Sequence, residues 1–168
     1  LKSDFLTTGP IGKKFEKALS ERFEGAEVVS CSSGTAALHL AVSALGLGQG
    51  DWAVVPAITF LATANAVRYA GADIVFCDVD PSSGLMTPET LENTLKTHRN
   101  KKIRAVLPVH LAGQPVDLVG LSKIAESSNI SIIEDACHAL GTSYFQEENK
   151  IMRPIGGCFQ SKMATFSF

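Results

Sequence analysis

Small polar residues follow an apolar run near the start of the chain and could bind an anion. Residues 26–31 predict a short strand, and Ser33, Gly34 and Thr35 stand between it and a predicted helix. Small side chains let backbone N–H groups and hydroxyls approach a phosphate, and the positive end of a helix dipole favours negative charge. The pattern predicts a phosphate-binding turn, although a simple helix cap has the same kind of sequence.

An acidic pair follows a second apolar run further along the chain. Residues 130–134 predict a buried strand, and Asp135 follows it directly. In open parallel sheets, ligands lie beyond the carboxyl ends of the strands. The carboxylate of Asp135 could therefore hold a cationic group of a ligand. The alternative is that Asp135 only caps the next helix.

Two ring-bearing residues also come just after predicted strands. Phe60 could offer a flat surface to the ring of a ligand, or it could belong to the core. His110 could contact a ligand, or it could be a loop histidine whose hydrogen bonds are made within the protein. His39 and His98 are interpreted as structural or surface residues.

Several other kinds of chemistry find no sequence support. The chain has no G-x-G-x-x-G or Walker loop, no G-x-S-x-G elbow and no Cys/His spacing typical of zinc. A metal site is therefore not predicted, and a nicotinamide-dependent oxidoreductase is disfavoured. The cysteines are interpreted as small core residues in a reducing compartment. They are Cys31, Cys77, Cys137 and Cys158.

Helices and short buried strands must alternate to position these residues. Apolar spacing predicts helices at 12–24, 35–45, 59–69 and 117–127, and strands at 26–31, 53–56, 74–79, 103–109, 130–134 and 164–168. Thr87 can cap a further helix that has Pro88 at its first position. Strands separated by helices of this length predict one α/β domain over residues 1–168. Its sheet would be mostly parallel, with helices on both faces.

Composition supports a globular protein with a mixed surface. Of the 168 residues, 45% are hydrophobic and 19% are charged, and the formal net charge is −2. The absence of a basic patch argues against nucleic-acid or membrane-surface partners. No secretory signal and no long apolar stretch is seen, so a cytoplasmic location is expected.

The ordered set of short motifs resembles the DegT/DnrJ/EryC1/StrS sugar aminotransferase family, whose members are fold-type I enzymes that use pyridoxal 5′-phosphate. The matching stretches are Thr8-Gly9-Pro10 with Phe15-Glu16, Ser33-Gly34-Thr35-Ala36-Ala37-Leu38-His39, Pro56-Ala57-Ile58-Thr59-Phe60 with Ala62-Thr63-Ala64-Asn65, Asp78-Val79-Asp80, Pro108-Val109-His110-Leu111-Ala112-Gly113, Glu134-Asp135-Ala136-Cys137-His138-Ala139-Leu140-Gly141 and Thr165-Phe166-Ser167-Phe168. Each motif alone is weakly specific, and seven in family order are highly specific.

The resemblance implies that four residues hold the cofactor phosphate. Thr35, with the neighbouring backbone of Gly34 and Ala36, would bind it at the start of the helix. Ser167 would add a further hydroxyl.

The resemblance also implies that three residues hold the cofactor ring. Phe60 would stack on the pyridine ring. Asp135 would pair with the pyridinium nitrogen and keep it protonated, so that the ring can act as an electron sink. His138 would face the 3′ oxygen, where many relatives have Gln.

The implied reaction has two halves. An amino donor, glutamate in most relatives, gives its amino group to the cofactor, and a nucleotide-linked keto sugar then takes it up. Residues 56–67, the turn at 84–86 and His138 are especially similar to bacterial enzymes that aminate C4 of a UDP-linked 4-keto-6-deoxy-N-acetylhexosamine for surface glycans. Relatives are homodimers, and the full-length protein is expected to be one too.

No catalytic residue is predicted within the chain. In the family, the lysine that forms a Schiff base with the cofactor closely follows the motif that Ser167 and Phe168 begin, so it would lie beyond Phe168. Lys162 precedes Ser167 and is interpreted as a surface lysine. The resemblance implies the N-terminal part of a cofactor-binding large domain, without the C-terminal small domain and without transaminase activity by itself. The alternative is a non-catalytic binding module that keeps the fold.

Overall fold

A computed structural model describes residues 5, 9–147 and 149–168, so Thr8 of the first motif lies outside the described residues. The helices are α1 (Pro10–Arg22), α2 (Gly34–Ala44), α3 (Leu61–Tyr69), α4 (Pro88–Thr97) and α5 (Leu118–Ser127). The strands are β1 (Trp52–Pro56), β2 (Asp73–Cys77), β3 (Ile103–Val106), β4 (Ser131–Asp135), β5 (Ser143–Gln146), β6 (Ile151–Pro154) and β7 (Met163–Thr165).

Five of the strands form one parallel sheet with the order β2-β1-β3-β4-β7. The central strands of this sheet are buried on both faces. Ala53, Val54 and Val55 of β1 and Ile133 of β4 are fully buried. Because successive side chains of a strand point to opposite faces, a strand that is apolar throughout must be covered on both sides.

Helices cover both faces of the sheet, as the sequence predicts. Leu38 of α2 and Val67 of α3 pack on the face to which Ala53 and Val55 point. Leu91 of α4 and Leu121 of α5 belong to the second core, on the face of Val54. The α/β class with a mostly parallel sheet is therefore confirmed.

Local chemistry explains where several helices begin. The side chain of Thr87 accepts a hydrogen bond from the amide of Thr90, and the Thr90 side chain accepts one from the amide of Thr87, which forms a capping box. Pro88 occupies the first turn, as predicted. Asp117 caps α5 by accepting a hydrogen bond from the amide of Gly120. Helix starts predicted from cap residues fall close to the observed ones.

The strand predicted at residues 26–31 is wrong. This segment runs over the surface without strand pairing, and the Val29 side chain is 83% exposed. The carboxylate of Glu16 holds this segment by accepting hydrogen bonds from the amide and hydroxyl of Ser30. Cys31 in this segment is exposed as well, so it is not the small core residue that was predicted.

An antiparallel hairpin of β5 and β6 lies outside the main sheet and was not predicted. Tyr144 points inward and joins the second core, whereas Phe145 is exposed. None of the helices within the described ranges is long and apolar enough to cross a membrane. Among residues 5, 9–147 and 149–168, His, Cys, Asp and Glu side chains form no group of three or more that could hold a metal ion.

Candidate functional site

A cavity of about 450 Å³ lies beyond the carboxyl ends of the parallel strands. The residues that line it come from the start of α2, the turn before α3, the loop after β3 and the segments after β4 and β7. They are Ser33, Gly34, Thr35, Leu38, Thr59, Phe60, Ala62, Val109, Leu111, Asp135, Cys137, His138 and Ser167. Six of the seven predicted site residues are among them, and Ala36 is not.

The first wall of the cavity is the beginning of α2. Ser33 is the N-cap residue, and its hydroxyl accepts a hydrogen bond from the amide of Ala36 at 3.1 Å. That bond uses the amide of Ala36 within the protein. The amides of Gly34 and Thr35 have no acceptor among the described residues. They are the donors that this helix start leaves for a ligand.

Gly34 is needed here because two segments approach each other closely. A Cβ atom at position 34 would lie 2.8 Å from Cβ of Ser167 and 3.3 Å from Sγ of Cys137. Only a residue without a side chain fits this space. The close approach brings the hydroxyl of Ser167 to the start of α2, where the free amides are.

The second wall carries the buried carboxylate of Asp135, which is 4% exposed. Its Oδ2 atom accepts a hydrogen bond from the Thr63 hydroxyl at 2.6 Å, and its Oδ1 atom accepts one from the amide of Cys137 at 3.3 Å. None of the ion pairs found among the described residues involves Asp135. Asp135 ends β4 instead of capping a helix.

The Cys137 thiol lies beside this carboxylate and stays protonated. Burial and the negative charge of Asp135 raise the pKa of Cys137 to about 12. A neutral thiol adds no second negative charge to the cavity wall, so the charge there belongs to Asp135.

Phe60 stands at the N-cap position of α3, and its side chain is 74% exposed. The interpretation as a core residue is therefore wrong. An exposed aromatic ring in a cavity wall gains burial only when something packs against it.

His138 is exposed at the cavity, and the loop after β3 orients its ring. The Nδ1 atom of His138 accepts a hydrogen bond from the amide of Ala112 at 3.3 Å. The neutral ring therefore carries its proton on Nε2. Ala112 has a φ of 53°, a left-handed conformation that is uncommon for alanine.

His110 lies outside the cavity and is fully buried. Its Nε2 atom donates to Glu134 Oε2 at 3.0 Å, and its Nδ1 atom accepts from the amide of Val116 at 3.2 Å. The Ser161 hydroxyl also donates to Glu134. Both ring nitrogens thus have partners within the protein. His110 is therefore the loop histidine whose hydrogen bonds are made internally, and it does not line the cavity.

Thr59, Thr63 and Cys137 belong to this site, and the motif analysis gave none of them a role. Both threonines stand in one of the matching stretches, and their spacing of four residues places them on one side of α3 and the turn before it. Nothing in the sequence links Thr63 to Asp135, which lies 72 residues further along.

The parallel α/β sheet with helices on both faces belongs to the doubly wound class, in which ligands bind beyond the carboxyl ends of the strands, where this cavity lies. A family model for the DegT/DnrJ/EryC1/StrS aminotransferase family matches residues 1–168. The chain therefore belongs to that family.

Solved structures of similar proteins agree with this assignment. The aminotransferase from Psychrobacter cryohalolentis has 33% sequence identity over 90% of this chain and 36% of its own, with a TM-score of 0.79. Spr1654 from Streptococcus pneumoniae, assigned as a sugar aminotransferase and solved in a PLP form, has 30% identity over 99% of this chain and 43% of its own, with a TM-score of 0.84. NtdA from Bacillus subtilis, solved with bound PMP, has 35% identity over 81% of this chain and 30% of its own, with a TM-score of 0.75.

The present chain thus spans less than half the length of these three proteins. The family depends on pyridoxal 5′-phosphate, and relatives have been solved with this cofactor or its amine form.

Proposed function

We propose that this chain forms the N-terminal part of the cofactor-binding large domain of an aminotransferase, and that the cavity at the strand ends holds pyridoxal 5′-phosphate. The observation that carries the proposal is the pairing of two features across one cavity. One is a helix start whose first two amides have no acceptor in the described part of the chain, and the other is a buried carboxylate with no cationic partner there.

The start of α2 suits a phosphate group. The amides of Gly34 and Thr35 are free, and the hydroxyls of Thr35 and Ser167 line the same cavity. Gly34 supports this role because any larger residue would push Ser167 away. Charge-assisted bonds from such donors are the strong ones in anion sites. Ala36 would contribute least, since its amide is already bonded to Ser33.

The opposite wall suits a cationic heteroaromatic ring. Asp135 supplies the negative charge, and burial without a cation makes a positive partner favourable there. Phe60 offers an exposed ring for stacking. His138 carries a donor proton on Nε2, which suits an oxygen substituent on the ligand.

When bound, the cofactor supplies the electron sink for transfer of an amino group. The residues of this chain would bind its phosphate, hold a proton on its ring nitrogen and fix the plane of its ring. The lysine expected beyond Phe168 would complete the site, so transamination is not expected from residues 1–168 by themselves.

The substrate assignment extends the resemblance seen in the motifs. We infer a nucleotide-linked 4-keto-6-deoxy sugar as the acceptor and glutamate as the amino donor, in a pathway that makes surface glycans. A cytoplasmic homodimer is the expected form, as in the relatives that the motifs resemble.

Binding of pyridoxamine 5′-phosphate tests the proposed site directly, because this form needs no lysine. Titration of the purified protein, followed by ligand fluorescence, should give saturable binding. Asp135→Asn should weaken that binding, whereas Asp51→Asn, at the opposite end of β1, should not. Absence of binding to the parent protein, both for this chain and for the product of the complete open reading frame, would contradict the proposal.

The coding sequence after Phe168 gives a second test. A continuation with a histidine and, three residues later, a lysine is expected, and the longer product should transaminate keto-sugar nucleotides with glutamate. A stop codon at this point, together with stable folding and binding of the cofactor, would instead favour the non-catalytic binding module.

A further inference from the structure

The carboxylate of Asp135 is held by a chain of hydroxyl groups that begins at the cavity wall. Thr59 lines the cavity, and its Oγ1 atom lies 2.7 Å from Oγ1 of Thr63. The Thr63 hydroxyl lies 2.6 Å from Oδ2 of Asp135. Thr63 is fully buried and Asp135 nearly so. The three residues therefore form a continuous hydrogen-bonded path, with Thr59 and Asp135 at the cavity and the buried Thr63 between them.

The direction of the hydrogen bonds in this path follows from the chemistry of its last member. An ionised carboxylate only accepts hydrogen bonds, so Thr63 must donate to Asp135. The Thr63 oxygen is then left to accept, and Thr59 is the hydroxyl in position to donate to it. Every proton in the path points toward Asp135.

The surroundings of Asp135 make such donors important. Among the described residues no cation pairs with this carboxylate, and its other donors are the thiol of Cys137 and the amide of Cys137, the latter at the longer distance of 3.3 Å. A buried carboxylate with so few partners is costly. Thr63 thus provides the shortest bond to Asp135 and leaves the side chain ready for one cationic partner.

We propose that Thr63 is a positioning residue for Asp135 and that Thr59 supports it, so that the path from Thr59 selects a ligand with a protonated ring nitrogen. This inference rests on the proposed function for the identity of that ligand. Helix α3 then has two tasks, because Phe60 at its start offers the stacking surface and Thr63 in its first turn fixes the carboxylate. One short element sets both the plane of the ring and the charge at its edge.

The test compares Thr63→Val, which replaces the hydroxyl by a methyl group of similar size, with Thr63→Ser, which keeps the hydroxyl. Each variant of the protein from the complete reading frame is titrated with pyridoxamine 5′-phosphate and with the analogue that has a ring carbon in place of the nitrogen. Loss of a hydrogen bond to a charged group predicts about tenfold or greater weakening of cofactor binding by Thr63→Val. Thr63→Ser should stay close to the parent protein. Thr94→Val, the same change at a buried helical threonine remote from the cavity, should not affect binding.

The carbon analogue separates positioning of the charge from a general structural effect. Because it has no nitrogen for Asp135 to hold, its affinity should be the same for the parent protein and for Thr63→Val. Equal weakening of both ligands would mean that Thr63 only supports the local structure, and it would overturn the proposal. Unchanged cofactor binding in Thr63→Val would overturn it as well.

A measurement without ligand keeps this inference distinct from the proposed function. Unfolding of Thr63→Val, Asp135→Ala and the double variant should be non-additive, with a coupling of about tenfold in the unfolding equilibrium constant. Additive effects would show that Thr63 does not hold Asp135. If the parent protein binds neither ligand, the proposed function fails, and this cycle alone decides whether Thr63 positions the carboxylate.

Discussion

Replacing Gly34 by alanine is the smallest change that should disturb the candidate site. The added Cβ atom would lie 2.8 Å from Cβ of Ser167, 3.1 Å from its hydroxyl and 3.3 Å from Sγ of Cys137. A contact of 2.8 Å between two carbon atoms is too short to persist. Because the neighbour is a Cβ atom and not the end of a flexible side chain, the start of α2 and the segment after β7 must move apart.

The expected cost follows from the size of this overlap. Forcing one extra methyl group into a packed site destabilises proteins by about 1–3 kcal/mol. For a protein of this size, each kcal/mol corresponds to a fall of about 2–4 °C in the melting temperature. Displacement of one amide or hydroxyl donor from a phosphate should weaken binding by about tenfold to a hundredfold. Gly34→Ala should therefore lower both stability and affinity for the cofactor.

Gly12→Ala provides the matched control. Gly12 lies within α1, and a Cβ atom at this position would have no neighbour within 4 Å. Alanine is the better helix former, so this variant should be more stable than the parent protein by about 0.5–1 kcal/mol. Urea unfolding measures the stability of both variants, and titration with pyridoxamine 5′-phosphate measures binding. The same substitution is thus expected to have opposite effects on stability at the two positions.

A second substitution shows whether the overlap is the cause. Ser167→Gly removes the atom that the new methyl group meets, so it should recover part of the stability that Gly34→Ala loses. It should not recover cofactor affinity, because the Ser167 hydroxyl is lost with it. The reasoning is refuted if Gly34→Ala is as stable and binds as tightly as the parent protein, or if Ser167→Gly adds to the loss of stability.

Three further predictions concern the buried polar groups. Burial raises the pKa of Tyr144 from 10.0 to about 12. The unfolded state therefore loses the phenolic proton at a lower pH than the folded state does. The free energy of unfolding should fall as the pH rises between these two values. Tyr144→Phe should abolish this loss and, because the hydroxyl has no partner among the described residues, should stabilise the protein at pH 7 by about 1 kcal/mol; an unchanged alkaline unfolding curve would contradict this. Glu134→Ala should destabilise the protein by about 1–3 kcal/mol in urea unfolding, because it leaves the buried N–H of His110 without an acceptor, and near-parent stability would refute the importance of this pair. At pH 8 an alkylating reagent should modify the exposed Cys31 much faster than Cys137, whose pKa burial raises to about 12, as mass spectrometry of the labelled peptides would show.

The sequence predicted best the elements whose signals are local. Thr87 and Pro88 mark the start of α4, because capping depends on residues within one turn. The buried strand β4 was recognised from its apolar run, and its observed bounds differ from the prediction by one residue. The turn proposed to bind phosphate also depends on adjacent residues, so Gly34 and Thr35, which line the cavity, could be chosen without knowledge of the fold.

The sequence failed where an element depends on a distant partner. Residues 26–31 have the composition of a strand, but composition does not ensure pairing: the segment and the edge strand β7 line one cavity without hydrogen-bonding as a ladder. The hairpin of β5 and β6 escaped prediction because its strands are short and mix polar with apolar residues. The contact of Thr63 with Asp135 joins α3 to β4, and no local pattern encodes such a pair.

The end of β4 carries two adjacent carboxylates, of which one is paired within the protein and the other lines the cavity. Glu134 and Asp135 are adjacent in a strand, so their side chains point to opposite faces of the sheet. Glu134 is satisfied on its face by His110 and Ser161 and has nothing left for a ligand. Among the described residues Asp135 receives neutral donors alone, from the Thr63 hydroxyl and from the amide and thiol of Cys137, and it lines the cavity. From the sequence, either carboxylate of an acidic pair at a strand end could bind a cation. The partners on each face of the sheet show which of the two is available.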